Sequence, residues 1–142
     1  MRFEKIKPPA RSTPLTELEV EGRCLDLHRK LDFIGMTWGT DETALTLGWA
    51  ALSEVLIVQQ GQALPLGGLA LSFTGLQRFE ASFQQGRPGE LEYFEFRQDP
   101  EPTLIFFFAA GTLRLSAEVC RGDLLIEADE EESGSNPSES VQ

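Results

Sequence analysis

Three apolar segments between residues 91 and 119 constrain the fold of this chain more than any other part of its sequence. In each one, apolar side chains alternate with polar ones or run without interruption, and only turn-forming residues separate the segments. The segments span residues 91–97, 103–109 and 112–119. This pattern predicts successive strands of an antiparallel meander. Residues 123–127 would add a fourth strand after a turn at Arg121-Gly122-Asp123, because glycine is favoured in hairpin turns.

The same period-two alternation recurs upstream of the meander. It predicts strands at residues 16–22, 43–49 and 69–75. Residues 31–38 match neither period cleanly, and we predict a strand there that forms a hairpin with residues 43–49. Residues 76–83 have apolar side chains at a helical spacing of three and four, but Phe79, Ala81 and Phe83 also fit a strand, and we predict that the strand continues past Gly75. Residues 50–58 fit either a helical turn or a strand, and the β-branched Val55, Ile57 and Val58 favour the strand. Residues 61–68 are predicted to be a loop because they contain Pro65 and several glycines.

The chain is therefore predicted to be mainly β. We expect an antiparallel sandwich or barrel-like meander of about eight strands with little helix. A mixed α+β fold, with one helix on an antiparallel sheet, is the competing architecture.

Length and composition predict one domain with two distinct ends. A chain of 142 residues suits a single core. Residues 1–15 form a basic arm that Pro8, Pro9 and Pro14 keep extended. Residues 16–128 hold the β-rich domain. Residues 129–142 are acidic and serine-rich, which predicts a disordered tail.

Charge and hydropathy exclude several kinds of partner. With 12 Lys and Arg against 23 Asp and Glu, the net charge is −11, which disfavours binding to nucleic acid. The sequence has no long apolar run and no apolar leader segment, so we expect a cytoplasmic protein without membrane contact. Cys24 and Cys120 lie far apart in sequence and are expected to be two separate thiols.

Catalytic and metal-binding motifs are not visible. His28 is the only histidine, so any Cys/His or Ser/His/Asp chemistry would have to use it. A Cys24/His28 pair would require helical spacing in a segment that is not predicted to be helical. The sequence shows neither metal-ligand spacing nor a glycine-rich phosphate loop. We therefore expect binding rather than catalysis, with no cofactor.

Phe106, Phe107 and Phe108 require that both faces of their strand be covered. Alternate residues of a strand point to opposite faces, so Phe106 and Phe108 share one side and Phe107 lies on the other with Ile105. Either the strand is central within one chain, or one aromatic face docks a second subunit or a partner. A homodimer is one form of the second case.

One resemblance adds to these observations. The segment Leu25-Asp-Leu-His28, a following hairpin, Leu71-Ser-Phe-Thr-Gly75 and a closing β-meander resemble small bacterial proteins of the toxin-immunity type and similar single-domain β-rich proteins. The resemblance covers residues 25–127. It implies a non-catalytic protein that binds one partner, such as a toxin domain, through acidic groups that meet a basic site. It carries over no individual site residue.

Two functions follow from the sequence. The first is a protein-binding module, inhibitor-like or immunity-like, whose acidic surface steers association with a basic partner. The carboxylates expected to form that surface are Glu17, Glu19, Glu21, Glu90 and Glu92. The alternative is a small-molecule-binding β-barrel with an aromatic interior. The residues expected to line that interior, or to form an aromatic interface, are Phe73, Phe94, Phe96, Phe106 and Phe108.

Overall fold

Strands make up most of the chain in this computed structural model, which describes residues 1–52, 55–86 and 88–127. The strands are β1 (Arg2–Glu4), β2 (Glu17–Val20), β3 (Arg23–Asp26), β4 (Leu31–Trp38), β5 (Leu45–Ala51), β6 (Leu56–Gln59), β7 (Gln62–Phe83), β8 (Leu91–Arg97), β9 (Thr103–Phe108) and β10 (Gly111–Ile126). One 3-10 turn covers Gln84–Gly86. No α-helix occurs within these ranges. The prediction of a mainly β protein is confirmed.

The main sheet is antiparallel and curls into a half-barrel. Its strands follow the order β4-β5-β7-β10-β9-β8, while β6 adds to the start of β7 and β1 adds to β10 in parallel. The strands β2 and β3 form a separate hairpin. Two long strands, β7 and β10, run side by side through the centre and shape the curl.

The predicted strands agree with the structure at β4 and β8, which have the predicted bounds, but β10 corrects the prediction. Residues 112–119 and 123–126 belong to one continuous strand, and Arg121-Gly122-Asp123 is not a turn. Gly122 is needed for close packing, because a Cβ at this position would lie 2.8 Å from Ile6 and 2.9 Å from Val20. Residues 62–68 also belong to a strand, β7, and not to the predicted loop.

The core lies on the concave face of the curled sheet. Phe106 and Phe108 are buried there, and Phe106 packs against Trp49 and Phe94 at centroid distances of 6.0 Å. Phe107 lies on the convex face, where it stacks on Tyr93 at 4.5 Å. Within its sheet, β9 lies between β8 and β10. On its convex face Ile105 is buried and Phe107 is half-buried, and the docking of a second subunit or partner on that face stays a prediction.

The N-terminal arm is extended and follows the sheet. Its first strand, β1, pairs with β10 at Val119–Arg121, and the amide of Ser12 donates to the carbonyl of Phe96 at 2.8 Å. Leu15 then pairs with Phe94. The arm thereby occupies the edge of β8, while the corresponding edge of β4 has no strand beside it among the described residues. The predicted tail, residues 129–142, lies outside the described residues.

Candidate functional site

The outer face of the β2–β3 hairpin carries two of the five predicted carboxylates, Glu17 and Glu19. Glu17 lies opposite Asp26, and Glu19 lies opposite Cys24, so these side chains share one face. The other face carries Leu18, Val20 and Leu25, which are buried in the core. Strand alternation therefore divides the hairpin into an apolar inner face and an acidic outer face.

His28 joins this hairpin to the start of β8. The carboxylate of Asp26 accepts hydrogen bonds from the amides of His28, at 2.9 Å, and Arg29, at 3.0 Å. The Nδ1 of His28 donates to the carbonyl of Leu91 at 2.8 Å and lies 3.7 Å from the carboxylate of Glu90. Glu17, Asp26 and Glu90 are thus connected through neighbouring contacts, although they come from distant parts of the sequence.

Glu92 lies at the same end of β8. The pairing of β8 with β9 shifts register between Leu91 and Tyr93, so Glu92 is the extra residue of a bulge and is exposed. We call the outward carboxylates of the hairpin and of this end of β8 the acidic face. It consists of Glu17, Glu19, Asp26, Glu90 and Glu92.

Glu21 is placed elsewhere. It lies in the turn between β2 and β3, four residues beyond Glu17 or about 13 Å along a strand. Its carboxylate accepts the amide of Leu124 at 3.0 Å. Lys5 and Arg121 lie close by, since both bind the carboxylate of Asp123. Glu21 therefore belongs to an exposed network of opposite charges and not to the acidic face.

Asp26 is a member of the acidic face that the sequence did not single out. The Glu21-Gly22 pair is the sequence feature that could have placed Asp26 there, because glycine is favoured in a tight hairpin turn. In the structure the φ angles of Glu21 and Gly22 are 52° and 80°, which suit such a turn. A hairpin centred there places residue 26 opposite residue 17, as observed.

Cys24 reports the charge of the acidic face. Its thiol donates to the carboxylate of Glu17 at 3.4 Å. That hydrogen bond, followed by partial burial and the charges of Glu17, Glu19 and Asp26, raises the pKa of Cys24 above its usual value. A raised pKa means that the thiolate is disfavoured, as expected beside carboxylates. The remaining cysteine, Cys120, is buried, and burial raises its pKa far above the ordinary range.

Clefts flank the hairpin on both sides. One, of about 350 Å³, lies between the hairpin and Lys30, Leu31 and Leu66. The other, of about 380 Å³, lies between the hairpin and the arm at Lys7 and Pro9. Both clefts are open and reach Glu17 and Cys24. Lys30 in the first cleft and Lys7 in the second border the acidic face and limit its extent.

The five predicted phenylalanines all lie in the core, where their exposed fractions are 5% or less. The cavity beside Phe94 and Phe106, which Phe3 and Leu104 also line, measures about 10 Å³. That volume is at the lower limit for a single water molecule. These side chains fill the concave face with one another, and their predicted role as a pocket lining or an interface stays a prediction.

Within the described ranges, His, Cys, Asp and Glu side chains form no group of three or more suited to a metal ion. The same residues include no helix with the length and apolar character to cross a membrane. Cys24 and His28, the pair considered for catalysis, bind Glu17 and Leu91 respectively.

No protein family, no curated protein and no solved structure shows a significant match to this chain.

Proposed function

We propose that this protein is a non-catalytic binding module that docks a basic protein partner through its acidic face. The observation that carries the proposal is the convergence of Glu17 and Asp26 with Glu90 through the contacts of His28. Carboxylates on one rigid surface attract a cationic partner and accelerate encounter. The charge of the whole chain, −11, adds to this attraction at long range.

Because the core is filled, binding of a partner at the surface is favoured over binding of a ligand in the interior. Ligand pockets are usually about 300–1,000 Å³, whereas the cavity among the core aromatics is about 10 Å³. We therefore keep a protein partner as the proposed ligand. An inhibitor-like or immunity-like role remains part of this proposal. So does a cytoplasmic location, with which the separate thiols Cys24 and Cys120 agree.

The proposal is tested by affinity capture from a lysate of the source cells at low and moderate salt. The bait is the full chain, and the comparison is a Glu17→Gln/Glu19→Gln variant. We expect a basic protein to be retained at low salt and released at moderate salt, because screening weakens attraction between exposed charges. The variant should retain less of the same protein.

The matched control is Glu42→Gln, an exposed carboxamide substitution in the β4–β5 turn. Glu42 follows the C-terminal end of β4, whereas His28 and the acidic face lie near the N-terminal end of that strand. The substitution removes one negative charge there and should leave retention of the basic protein close to that of the unmodified chain. Retention that is insensitive to salt, or lost equally in the Glu42→Gln variant, would contradict docking through the acidic face.

A further inference from the structure

The strand β4 forms an edge of the main sheet, and within the described ranges no strand pairs with its outer side. The opposite edge, on β8, is covered by the N-terminal arm through Ser12 and Leu15. Beside β4 lies an open groove of about 360 Å³, which leaves the outer side of the strand accessible. An uncovered edge offers unpaired backbone donors and acceptors to another strand.

The register of β4 against β5 shows which backbone groups face outward. At one end of this pairing, the amide of Gly39 donates to the carbonyl of Ala44 at 2.9 Å. Hydrogen-bonded and non-hydrogen-bonded pairs alternate along an antiparallel ladder. Thr37 therefore bonds with β5, whereas the amide and carbonyl of Met36 point away from β5. The backbone of Met36 is thus available to a second strand.

The side chains along β4 favour pairing with another strand. Met36 is 37% exposed, Trp38 is 47% exposed and Ile34 is 66% exposed. Edge strands that resist association carry lysine, proline or several charges, whereas β4 contains one charged residue, Asp32. The bulge at Ile34 limits the regular part of the edge to residues 35–38. A paired segment would therefore be short and would include Met36.

Opposite charges flank β4 at its two ends. Arg29 and Lys30 directly precede the strand, while Asp41 and Glu42 lie in the turn that follows it, and all four are exposed. Lys30 lies six residues before Met36, and Glu42 lies six residues after it. When two identical strands pair antiparallel, the start of one lies beside the end of the other. The strand and its flanks are therefore complementary in charge to a second copy of themselves.

We propose that two copies of this chain associate through β4, antiparallel and related by a twofold axis at Met36. The amide of each Met36 would donate to the carbonyl of Met36 in the other copy, and the two half-barrels would share one continuous sheet. The side chains of Met36 and Trp38, which share one face of β4, would be covered by the second copy. Asp32 would lie opposite Thr40 of the other copy, which keeps the two Asp32 carboxylates apart.

The net charge of −11 on each chain opposes this association. Salt at about 0.15 M screens exposed charges that are more than about 8 Å apart, so the contacts along the strand determine the outcome. Arg87, in the β7–β8 connection, lies outside the described residues and has no role in the proposed pairing. One pair of short edge strands is smaller than the standard interface of about 1,600 Å², which predicts a weak dimer.

Sedimentation velocity of the full chain at about 0.15 M salt tests self-association. We expect monomer at about 5 µM and a growing fraction of dimer toward about 500 µM, as is typical of a small interface. Met36→Lys should abolish the dimer, because two lysines would meet at the axis of the paired edge. Leu56→Lys is the matched control, since Leu56 is also an exposed apolar residue of a strand, β6, and it should leave the dimer intact.

An exchange of charges tests the antiparallel orientation. Arg29→Glu/Lys30→Glu makes both ends of β4 acidic, and Glu42→Lys/Thr43→Lys makes both ends basic. The second variant retains Asp41, whose carboxylate accepts the amide of Thr43 in the turn. Each variant alone should dimerise about tenfold more weakly than the unmodified chain, because like charges then meet. An equal mixture should restore dimerisation, because each acidic end then meets a basic one.

The second charge variant also distinguishes the proposed pairing from an effect of net charge. It carries less negative charge than the unmodified chain, so net charge alone would strengthen its self-association. The proposed pairing predicts the opposite, because its two basic ends repel.

Amide exchange measured by NMR reports on the backbone pairing. In the monomer the amide of Met36 faces outward and should exchange quickly. At concentrations that populate the dimer, its exchange should slow at least severalfold. The amide of Thr37 bonds to β5 in both states and should exchange slowly throughout.

Four results would overturn the proposal: monomer throughout the concentration series, a dimer that persists in Met36→Lys, equal loss in Leu56→Lys, or a mixture of the charge variants that dimerises no better than either alone. The proposal does not depend on docking at the acidic face. A dimer this weak is dissociated at about 5 µM, so capture of the basic protein can be scored on the monomer. Failure of one proposal therefore leaves the other standing.

Discussion

Leu15 and Phe94 hold each other through two backbone hydrogen bonds of 2.8 Å, one in each direction. The contact attaches the end of the N-terminal arm to the edge of β8. It also brings two acidic segments together, because Glu17 follows Leu15 by two residues and Glu92 precedes Phe94 by two. This single contact between residues far apart in the sequence therefore covers part of the edge of β8 and helps to assemble the acidic face.

Leu15→Pro removes one of these two hydrogen bonds, because proline has no amide donor. We expect the free energy of unfolding to fall by about 1–3 kcal/mol. Urea unfolding followed by tryptophan fluorescence measures the change. Ala10→Pro is the control, since the amide of Ala10 donates no hydrogen bond to the backbone of the described residues. Equal stability of the two variants would show that the arm contributes nothing at Leu15.

Gly122→Ala should destabilise the fold by about 1–3 kcal/mol, because the new methyl group would overlap buried side chains. The nearest atoms, in Ile6 and Val20, lie 2.8 and 2.9 Å from the Cβ position, and both residues are buried. Gly48→Ala is the matched control in β5 of the same sheet, where the closest atom lies 3.4 Å from the Cβ position. The two midpoints of urea unfolding should differ clearly, and coincident midpoints would contradict the packing at Gly122.

Phe106→Ala should cost about 3–5 kcal/mol, the usual range for a large core aromatic. Phe106 is buried between Trp49 and Phe94. Phe107→Ala, on the next residue of the same strand, should cost less, because Phe107 is half-buried and stacks on Tyr93 on the convex face. Thermal unfolding of the two variants distinguishes the faces of β9. The reverse order of stability would mean that the strand faces are assigned incorrectly.

Alternation in the sequence was sufficient to predict the class of fold and the bounds of individual strands. The bounds of β4 and β8 agree with the prediction. β8 alternates clearly, whereas the prediction of β4 rests on the turn-forming residues 39–42 and on the alternation of residues 43–49 that follow. The faces of Phe106 and Phe107 were also predicted correctly, because side-chain direction along a strand depends only on parity.

Glycine and proline explain the strands that the prediction missed. Gly122 and residues 61–68 suggested turns, whereas the structure uses glycine for close approach within long strands: Gly122 leaves room for Ile6, and a Cβ at Gly68 would overlap the carbonyl of Trp49. A single sequence does not show which backbone will come that close. Strand order was equally out of reach, because alternation defines faces and not neighbours.

The geometry of the acidic face could not be predicted from the sequence for the same reason. Glu17, Glu19, Glu21, Glu90 and Glu92 are predicted to form one acidic surface, but which of them lie near one another depends on the Leu15–Phe94 pairing and on His28. Glu21 was grouped with them because it continues the alternation of β2. The turn at Glu21-Gly22 instead directs it to the amide of Leu124.

The reactivity of Cys24 provides a test of the electrostatics at the acidic face. Because the hydrogen bond to Glu17 raises the pKa of Cys24, less thiolate is present at a given pH, and alkylation by iodoacetamide should be slower than for an unperturbed thiol. Glu17→Gln should accelerate the reaction by about threefold at pH 8.

Mass spectrometry of the alkylated chain locates the modification. Cys120 should stay unmodified in the folded protein, because it is buried and its pKa is raised further by that burial. Glu118→Gln, on the exposed side of β10, is the control and should leave the rate unchanged. An unchanged rate in Glu17→Gln would contradict the contact between Glu17 and Cys24.

Hydrogen exchange of the full chain with and without the captured basic protein tests docking through the acidic face most directly. The proposal predicts that binding slows exchange in residues 17–28 and 89–92. The exposed hairpin of β6 and β7, where Leu56 and Val58 face water, should be unaffected. Protection confined to that hairpin, with no change in residues 17–28 and 89–92, would contradict the account.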